Sequence, residues 1–594
     1  MGFEYALVHI KYTIPPAVLL TLLYRPLITR IDVFKLAFLI SIAVVSTIPW
    51  DSYLIRTRIW SYPAHVIIGP TLFQIPLEEV FFFVIQTYNT SLLYLILSRP
   101  TFQPIYLRTE KSPSASHGSI VRGWRLYQYL GQAFFAYGIA LGFRLVQGGH
   151  EGTYTGLILV WATPFLLLLW SLAYQFIIGL PFSNTLIPIA LPTIYLWIVD
   201  TLALKRGTWV INHGTKLGSH LWDGLDIEEA LFFLITNTLV VFGQIAVDNA
   251  LCVLYTFPHL FPNPSPMPSP QALMRALLTP VSKYDQHRIT GLQEAVLRLQ
   301  KKSRSFYLAS STFEGQLRID LLLLYSFCRV ADDLVDDAQS DAEASAWIKK
   351  LHKFIELIYG TGKKGISASD YVRQNFPIGT QSALLQLPTS KISRKPLEEL
   401  LHGFEMDLFF SQPGSLPIRE ESDLELYAHR VAGTVAQMCI ELIFDTYGNS
   451  TNMSDKDRIV TAGDQAGIAL QYVNIARDIG VDAKMARVYI PSVWLDSSGL
   501  SYDSVLENPQ GPQIEKLRTR LLNKAFALYE DARNAIEELP VEARGPIRVA
   551  VESYMEIGRV LRGEGYVVKA GRATVPKLRR LRVAWKALKG KWQA

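Results

Sequence analysis

Residues 1–250 alternate between long apolar runs and short polar links. The runs fall near 3–24, 34–50, 76–97, 127–146, 155–178, 180–203 and 228–250. A helix needs about 20 apolar residues to cross the hydrocarbon core of a bilayer, so the pattern predicts about seven spans. The 34–50 run is short, and Pro181 and Pro188 interrupt the sixth. Beyond residue 256 the pattern changes. Pro262, Pro264, Pro266, Pro268 and Pro270 alternate with other residues, the composition of an extended, semi-rigid spacer. Further on, apolar positions recur at helical spacing, and no run alternates as a strand would. Helices are expected over 287–312, 316–338, 341–360, 395–411, 422–448, 455–482, 513–538, 541–563 and 576–590. The expected fold is all-α: a polytopic membrane bundle over 1–250, a Pro-rich linker over 251–284 and a second all-α domain over 285–594.

The membrane half repeats itself. Asp51 and Trp60 recur as Asp200 and Trp209, both 149 residues on. Glu78-Glu79 with Phe82-Phe83 recur as Glu228-Glu229 with Phe232-Phe233, 150 residues on. The first three runs therefore match the last three, the fourth connects them, and both copies keep one orientation.

Composition supports the membrane assignment. The chain is 49% hydrophobic and only 19% charged, too apolar for an ordinary soluble protein. The N-terminus lacks a basic leader region, so no cleavable signal is expected. Cys252, Cys328 and Cys439 are scattered without metal spacing, which excludes a disulfide framework or a zinc site. The net charge of +6 is uneven: residues 569–594 carry nine Lys/Arg and no acid. That tail, with Leu578, Leu581, Val583, Trp585, Leu588 and Trp592 among its charges, suits either an anionic lipid surface or a solvated end. It does not point to nucleic acid. Loop Lys/Arg split seven to six between the two membrane sides, an orientation that places the C-terminal half in the cytosol.

Two acidic stretches carry the candidate chemistry of the second half. Asp332 and Asp336 stand one helical turn apart, as do Asp333 and Asp337. Asn474, Asp478 and Asp482 are spaced i, i+4, i+8 along another helix. Four like charges on one turn repel unless a cation neutralises them, and hard divalent ions with oxygen ligands meet that need. Two such helices facing each other across a cavity would hold a small Mg²⁺ cluster that grips a diphosphate.

Five motifs then resemble the phytoene synthases, head-to-head prenyl transferases related to squalene synthase. They are Ser303-Arg-Ser-Phe-Tyr307, Arg329 through Asp337, Tyr427-Ala-His-Arg-Val-Ala-Gly433, Asn474 through Asp482, and Arg487-Val-Tyr-Ile-Pro491. The resemblance covers roughly 285–590 in the family's order. It implies an isoprenoid-synthase fold that condenses two geranylgeranyl diphosphates to phytoene through prephytoene diphosphate. It implies Mg²⁺ (or Mn²⁺) on Asp332, Asp336, Asp478 and Asp482. Arg329, Arg430, Lys484 and Arg487 are candidates for phosphate oxygens, each equally readable as a surface charge. Tyr307, Tyr427, Asn474 and Tyr489 complete the substrate-binding set, and Asp407 is a further candidate.

In the membrane half, Glu78, Glu79, Glu228 and Glu229 open apolar helices. Ionisable groups at such depth mark proton or ion paths, although glutamates in a first turn also serve simply to complement the helix dipole. A buried carboxyl can keep its proton and act as a general acid, and nearby Phe and Trp faces attract cations. Pro76-Leu-Glu-Glu79 resembles the membrane-bound lycopene cyclases of fungi, whose halves occur as separate subunits in some bacteria. The second copy, Asp226-Ile-Glu-Glu229, lacks the proline. The whole chain looks like the fungal proteins that combine both activities. The resemblance implies cyclisation of lycopene ends to β-ionone rings by these four glutamates. No dinucleotide fingerprint lies in 1–250, so no cofactor is expected there. The implied partners are geranylgeranyl diphosphate, lycopene, membrane lipids and a carotenoid desaturase for the intervening steps. A transporter or a retinal receptor is the rival for the first half, but the last span has no lysine for a Schiff base. A squalene synthase or a non-catalytic relative is the rival for the second.

Overall fold

Among the described residues, seven helices are long and apolar enough to cross a membrane: α1 (Glu4–Leu27), α2 (Arg30–Arg56), α3 (Leu77–Ser98), α4 (Trp124–Gly148), α5 (Thr153–Gly179), α6 (Leu186–Lys205) and α7 (Ile227–Thr256). Each contains one of the seven apolar runs or most of it. The computed structural model describes residues 2–108, 123–360, 366–411, 416–448, 453–563 and 575–590. The chain divides into two units, Met1–Ile289 and Thr290–Ala594.

Local chemistry sets the helix ends of the first unit. Thr29 and Asp32 form a reciprocal capping box that starts α2. Pro15 and Pro16 lack amide hydrogens, and the turn before them widens into a π segment, His9–Thr13. Glycine lets α4 and α5 approach closely: a Cβ on Gly142 would lie 2.9 Å from the Gly156 carbonyl oxygen.

The repeat is visible in three dimensions. Short strands β1 (Trp60–Ser61) and β4 (Val210–Ile211) pair antiparallel, joining the two copies through Trp60↔Ile211 and Ser61↔Val210. A hairpin of β2 (Thr71–Leu72) and β3 (Ile75–Pro76) leads straight into α3. Its counterpart, β5 (His220–Trp222) with β6 (Leu225–Asp226), leads into α7. These ribbons of two or three residues per strand carry too few residues to show as alternation in sequence. After α7, the stretch expected to be a spacer contains a helix, α8 (Pro270–Leu277), started by the Ser269 side chain.

The second unit is helical throughout its described residues. Its main elements are α9 (Arg304–Ser310), α10 (Gly315–Asp336), α11 (Asp341–Tyr359), α12 (Arg394–Leu408), α13 (Glu421–Ala428), α14 (Thr434–Tyr447), α15 (Met453–Asp482), α16 (Pro512–Ala532), α17 (Val541–Leu561) and α18 (Lys577–Leu588). A large core runs through it, with Leu317, Phe327, Leu351, Leu397, Met438, Val473 and Leu521 among its most buried members. The expected 287–312 helix is broken, because the Ser303 side chain accepts from the Phe306 amide and starts α9 afresh. The expected 422–448 helix contains a π turn, His429–Gly433. Four short helices, Ala368–Asn375, Ile378–Leu385, Ser492–Ser497 and Tyr502–Glu507, were not apparent from periodicity.

As far as residue 590 the basic tail is a packed helix and not a solvated end. Its helix α18 docks on α17. Val583, Ala584 and Ala587 are buried, Arg548 Nε donates to the Ala587 carbonyl at 2.8 Å, and Arg579 Nε pairs with Glu556 at 2.5 Å. The apolar positions of the tail are thus its packing face, except Leu578 and Leu581, which stay exposed. Trp592 lies outside the described residues.

Candidate active sites

Each hairpin of the membrane unit hands the chain to a helix whose first turn carries two glutamates. Neighbouring residues on a helix point about 100° apart, so the members of each pair meet different surroundings. Glu78 Oε1 accepts from the Ile68 amide at 2.7 Å, and Glu228 Oε1 accepts from the Leu217 amide at 2.7 Å. Both therefore fasten the loop that precedes their own hairpin. Glu79 and Glu229 instead line one cavity. Glu79 accepts from Tyr62 OH at 2.7 Å and from Tyr5 OH. Glu229 accepts from Tyr154 OH at 2.7 Å. Tyr5 and Tyr154 stand 149 residues apart, the offset of the Asp and Trp copies, so the repeat itself contained the signal for them.

The cavity draws half its lining from each repeat. Tyr5, His9, Thr13, Trp60, Glu79 and Phe82 face Leu196, Asp200, Trp209, Glu229, Phe232 and Phe233. Its volume is about 20 Å³, enough for a water and too small for a six-membered ring. Asp51 and Asp200, the repeated aspartates, are buried beside it at 1% exposure each. His9 Nε2 lies 3.0 Å from the Glu78 carbonyl oxygen and so carries the proton, while Nδ1 lies 3.1 Å from Thr13 Oγ1.

In the second unit, α10 presents Asp332 and Asp336, and α15 presents Asn474, Asp478 and Asp482. Arginines accompany the carboxylates. Arg329 pairs with Asp332 at 2.8 Å and with Asp333. Arg477 grips Asp478 with two bonds of 2.8 and 2.5 Å. Arg487 reaches from the end of α15 to Asp336 on α10 at 3.0 Å, which ties the two acidic helices together. Asp407, on α12, is buried between Tyr489 OH at 2.8 Å and Tyr427 OH at 3.3 Å. The rings of Tyr427 and Tyr489 stack at 4.9 Å.

Burial, with the charge of Asp336 next, pushes Asp332 up to about 7. Burial and Asp478 push Asp482 up to about 8. Burial pushes Asp407 up to about 6 against the pull of Arg487 and Tyr489. The Asp407 charge raises both Asp332 and Asp482, so the three share one electrostatic neighbourhood. Such crowded oxygen donors suit a hard divalent cation. Among the described residues, the trio of possible ligands within 4.8 Å of one another is His352, His402 and Glu405, not these aspartates. That spacing is compatible with Mg²⁺, which takes one or two carboxylates and fills its shell with water and substrate phosphate.

Tyr554 OH donates to Asn474 Oδ1, and Phe306 stacks on Tyr554 at 5.2 Å. Arg430 is engaged by Glu399 at 3.1 Å. Tyr307 is half-buried on α9, and Lys484 is exposed just past α15. Sequence reasoning ranked Asp407 low and missed Arg477 and Tyr554.

Residues 299–579 match the squalene/phytoene synthase family. A domain of that family thus follows a seven-helix membrane-type unit whose two repeats share a carboxylate cavity. Along its whole length the chain is similar to bifunctional lycopene cyclase/phytoene synthases. Identity is 67% with that of Leptosphaeria maculans, over 99% of this chain and 100% of the relative. It is 66% with that of Pyrenophora tritici-repentis, over 100% of both. It is 64% with that of Phaeosphaeria nodorum, over 99% of both. The chain belongs to the bifunctional lycopene cyclase/phytoene synthase family.

Proposed function

We propose that this chain catalyses two separate steps of carotenoid synthesis. The second unit joins two geranylgeranyl diphosphates into phytoene, and the membrane unit closes β-ionone rings on lycopene. The observation that carries the membrane assignment is the shared cavity, where one glutamate from each repeat sits under phenol hydroxyls and among aromatic faces.

In the synthase, Asp332, Asp336, Asp478 and Asp482 would hold Mg²⁺ or Mn²⁺, whose charge would stabilise the departing diphosphate. Arg329, Arg430, Lys484 and Arg487 supply donors for phosphate oxygens. Loss of the first diphosphate leaves an allylic cation. The double bond of the second molecule attacks it, giving a cyclopropylcarbinyl diphosphate. Ionisation, rearrangement and loss of one proton yield phytoene, with no reductant consumed. Tyr427 and Tyr489 fix Asp407 beside the cluster.

In the cyclase, one cavity carboxyl delivers its proton to the terminal double bond of lycopene. The resulting cation is attacked by the next double bond along the chain, closing the ring. The other carboxylate then removes a proton, and the product is an isomer of the substrate. Trp60, Trp209, Phe82, Phe232 and Phe233 offer π faces to the passing cation. Glu78 and Glu228 position the loops and act indirectly. Because the cavity is smaller than a ring, the substrate end must part the two repeats as it enters. The membrane unit crosses the bilayer with the synthase unit in the cytosol, and a separate desaturase works between the two steps.

The test is expression of the full chain in bacteria that accumulate lycopene, with chromatography of the pigments. Ringed carotenoids are expected. Unchanged lycopene beside stable, phytoene-forming protein would overturn the cyclase assignment while leaving the synthase standing.

A further inference from the structure

The membrane unit holds a second set of buried polar groups that ring closure does not use. They follow α3 and α7 away from Glu79 and Glu229. Gln86 Nε2 donates to Thr236 Oγ1 at 2.9 Å. Thr90 Oγ1 donates to Asn237 Oδ1 at 2.7 Å, and Asn237 Nδ2 donates to Thr193 Oγ1 at 3.1 Å. Farther along, Asp248 accepts from Tyr94 OH at 2.6 Å and Gln103 Nε2 at 3.0 Å, and it pairs with Lys35 at 2.5 Å. Gln103 belongs to a short turn, Gln103–Tyr106, beyond the end of α3. From Glu229 to Asp248 the helix rises about 28 Å, close to the roughly 30 Å of a bilayer's hydrocarbon core.

This seam adjoins the cavity. Phe233 lines the cavity, and its carbonyl accepts from Asn237 Nδ2 at 2.9 Å. Thr13 lines it too, and its carbonyl accepts from Asn89 Nδ2 at 3.0 Å. Tyr5, Trp60 and Trp209 also line the cavity and are all at most 8% exposed.

Two side chains set the seam apart from simple helix adhesion. Ser91 on α3 and Gln244 on α7 lie between the Thr90–Asn237 and Tyr94–Asp248 contacts. Both are 0% exposed. Among the described residues, neither the Ser91 hydroxyl nor either polar atom of the Gln244 amide has a hydrogen-bond partner. Polar groups that glue membrane helices are paired across the interface, and an unpaired one at this depth is costly. Groups so placed can bind a water and pass a proton along it.

The chemistry creates a need for such a route. Each ring closure strips a proton from one cavity carboxyl and adds one to the other. No proton is consumed overall, but both carboxyls must be reset before the next ring. We infer that the α3–α7 seam, through Gln244 and Ser91 to the Lys35–Asp248 pair, exchanges protons between the cavity carboxylates and water at the far helix ends. The inference rests on the acid–base reading of Glu79 and Glu229.

The test uses full-length protein in lipid vesicles with lycopene, moved rapidly from H₂O into D₂O. Mass spectrometry then gives the deuterium in each newly formed ring. Wild type should place deuterium in its first rings. Gln244→Leu should make light rings first and gain deuterium roughly tenfold more slowly, with Gln244→Glu restoring the uptake and Ser91→Ala showing a smaller lag. The content per ring does not depend on how much protein is folded, and phytoene formation by the same sample measures that amount. Deuterium uptake by Gln244→Leu as fast as wild type overturns the inference. Should that variant form no rings, Ser91→Ala decides: no lag overturns the inference, a lag supports it. Glu79→Gln and Glu229→Gln run alongside. Rings at the wild-type rate from either would overturn the acid–base reading itself.

Discussion

The two units gather carboxylates for opposite ends. In the membrane unit, Glu79 and Glu229 are held by phenol hydroxyls, and Glu78 and Glu228 by backbone amides. In the synthase unit, Asp332, Asp336 and Asp478 are paired with arginines and Asp407 with buried tyrosines. Neutral donors let a buried carboxyl hold or lose a proton at small cost, which suits acid–base chemistry. Permanent cations beside crowded carboxylates offset only part of the burial and mutual repulsion that raise Asp332 and Asp482, which suits a site proposed to ionise as a divalent metal binds. The residue type is the same, and the company it keeps decides its chemistry.

The strongest way to break this comparison is to neutralise one carboxylate in each unit. Asp332→Asn or Asp478→Asn should lower phytoene formation by about a thousandfold or more while ring closure continues, measured as separate product yields from one preparation. A chelator should do the same to the unmutated chain. Loss of both activities together would mean that the sites are not separate. Next in size, Glu79→Gln or Glu229→Gln should cut ring closure by roughly a hundredfold or more and spare phytoene. Glu78→Gln and Glu228→Gln should act mainly on protein yield, because they release a loop. Equal kinetic losses at all four positions would erase the distinction drawn within each pair.

Smaller effects sharpen the picture. Tyr5→Phe and Tyr154→Phe each remove one donor to a cavity carboxylate and should slow ring closure by about tenfold. The smallest expected effect is on stability. Asp332 and Asp482 are raised to about 7 and about 8 in the fold, above the usual unfolded value near 3.9. The stability they lend is complete below about pH 4 and is lost as pH rises through 7 to 8. Metal-free protein should therefore melt at lower temperature near pH 8.5 than near pH 6, with Mg²⁺ raising the melting temperature more at the higher pH. An equal Mg²⁺ effect at both values would place the metal elsewhere.

Much of this was legible in the sequence. Helical periodicity and apolar run length are local properties, so the spans and most synthase helices could be read directly. The repeat and the acidic motifs were legible because their spacing is itself the signal. Which glutamate of each pair faces the cavity was not, because that depends on Ile68, Leu217 and three tyrosines arriving from other elements. Asp407 was underrated for the same reason: its tyrosines lie 20 and 82 residues away. The docking of the tail was not legible because a basic amphipathic helix has one composition whether its apolar face meets lipid or, as in α18, a neighbouring helix.

The shared cavity has a further consequence for how this site can change over time. In a two-fold dimer of one three-helix piece, any substitution would appear on both walls at once. Here the two walls are separate stretches of one chain, free to diverge. They have done so: His9 stands where the second copy has Ile158, Thr13 where it has Ala162, and Pro76 where it has Asp226. On the proposed acid–base reading, a proton giver and a proton taker can therefore be tuned independently, although they occupy the same place in two copies of one motif.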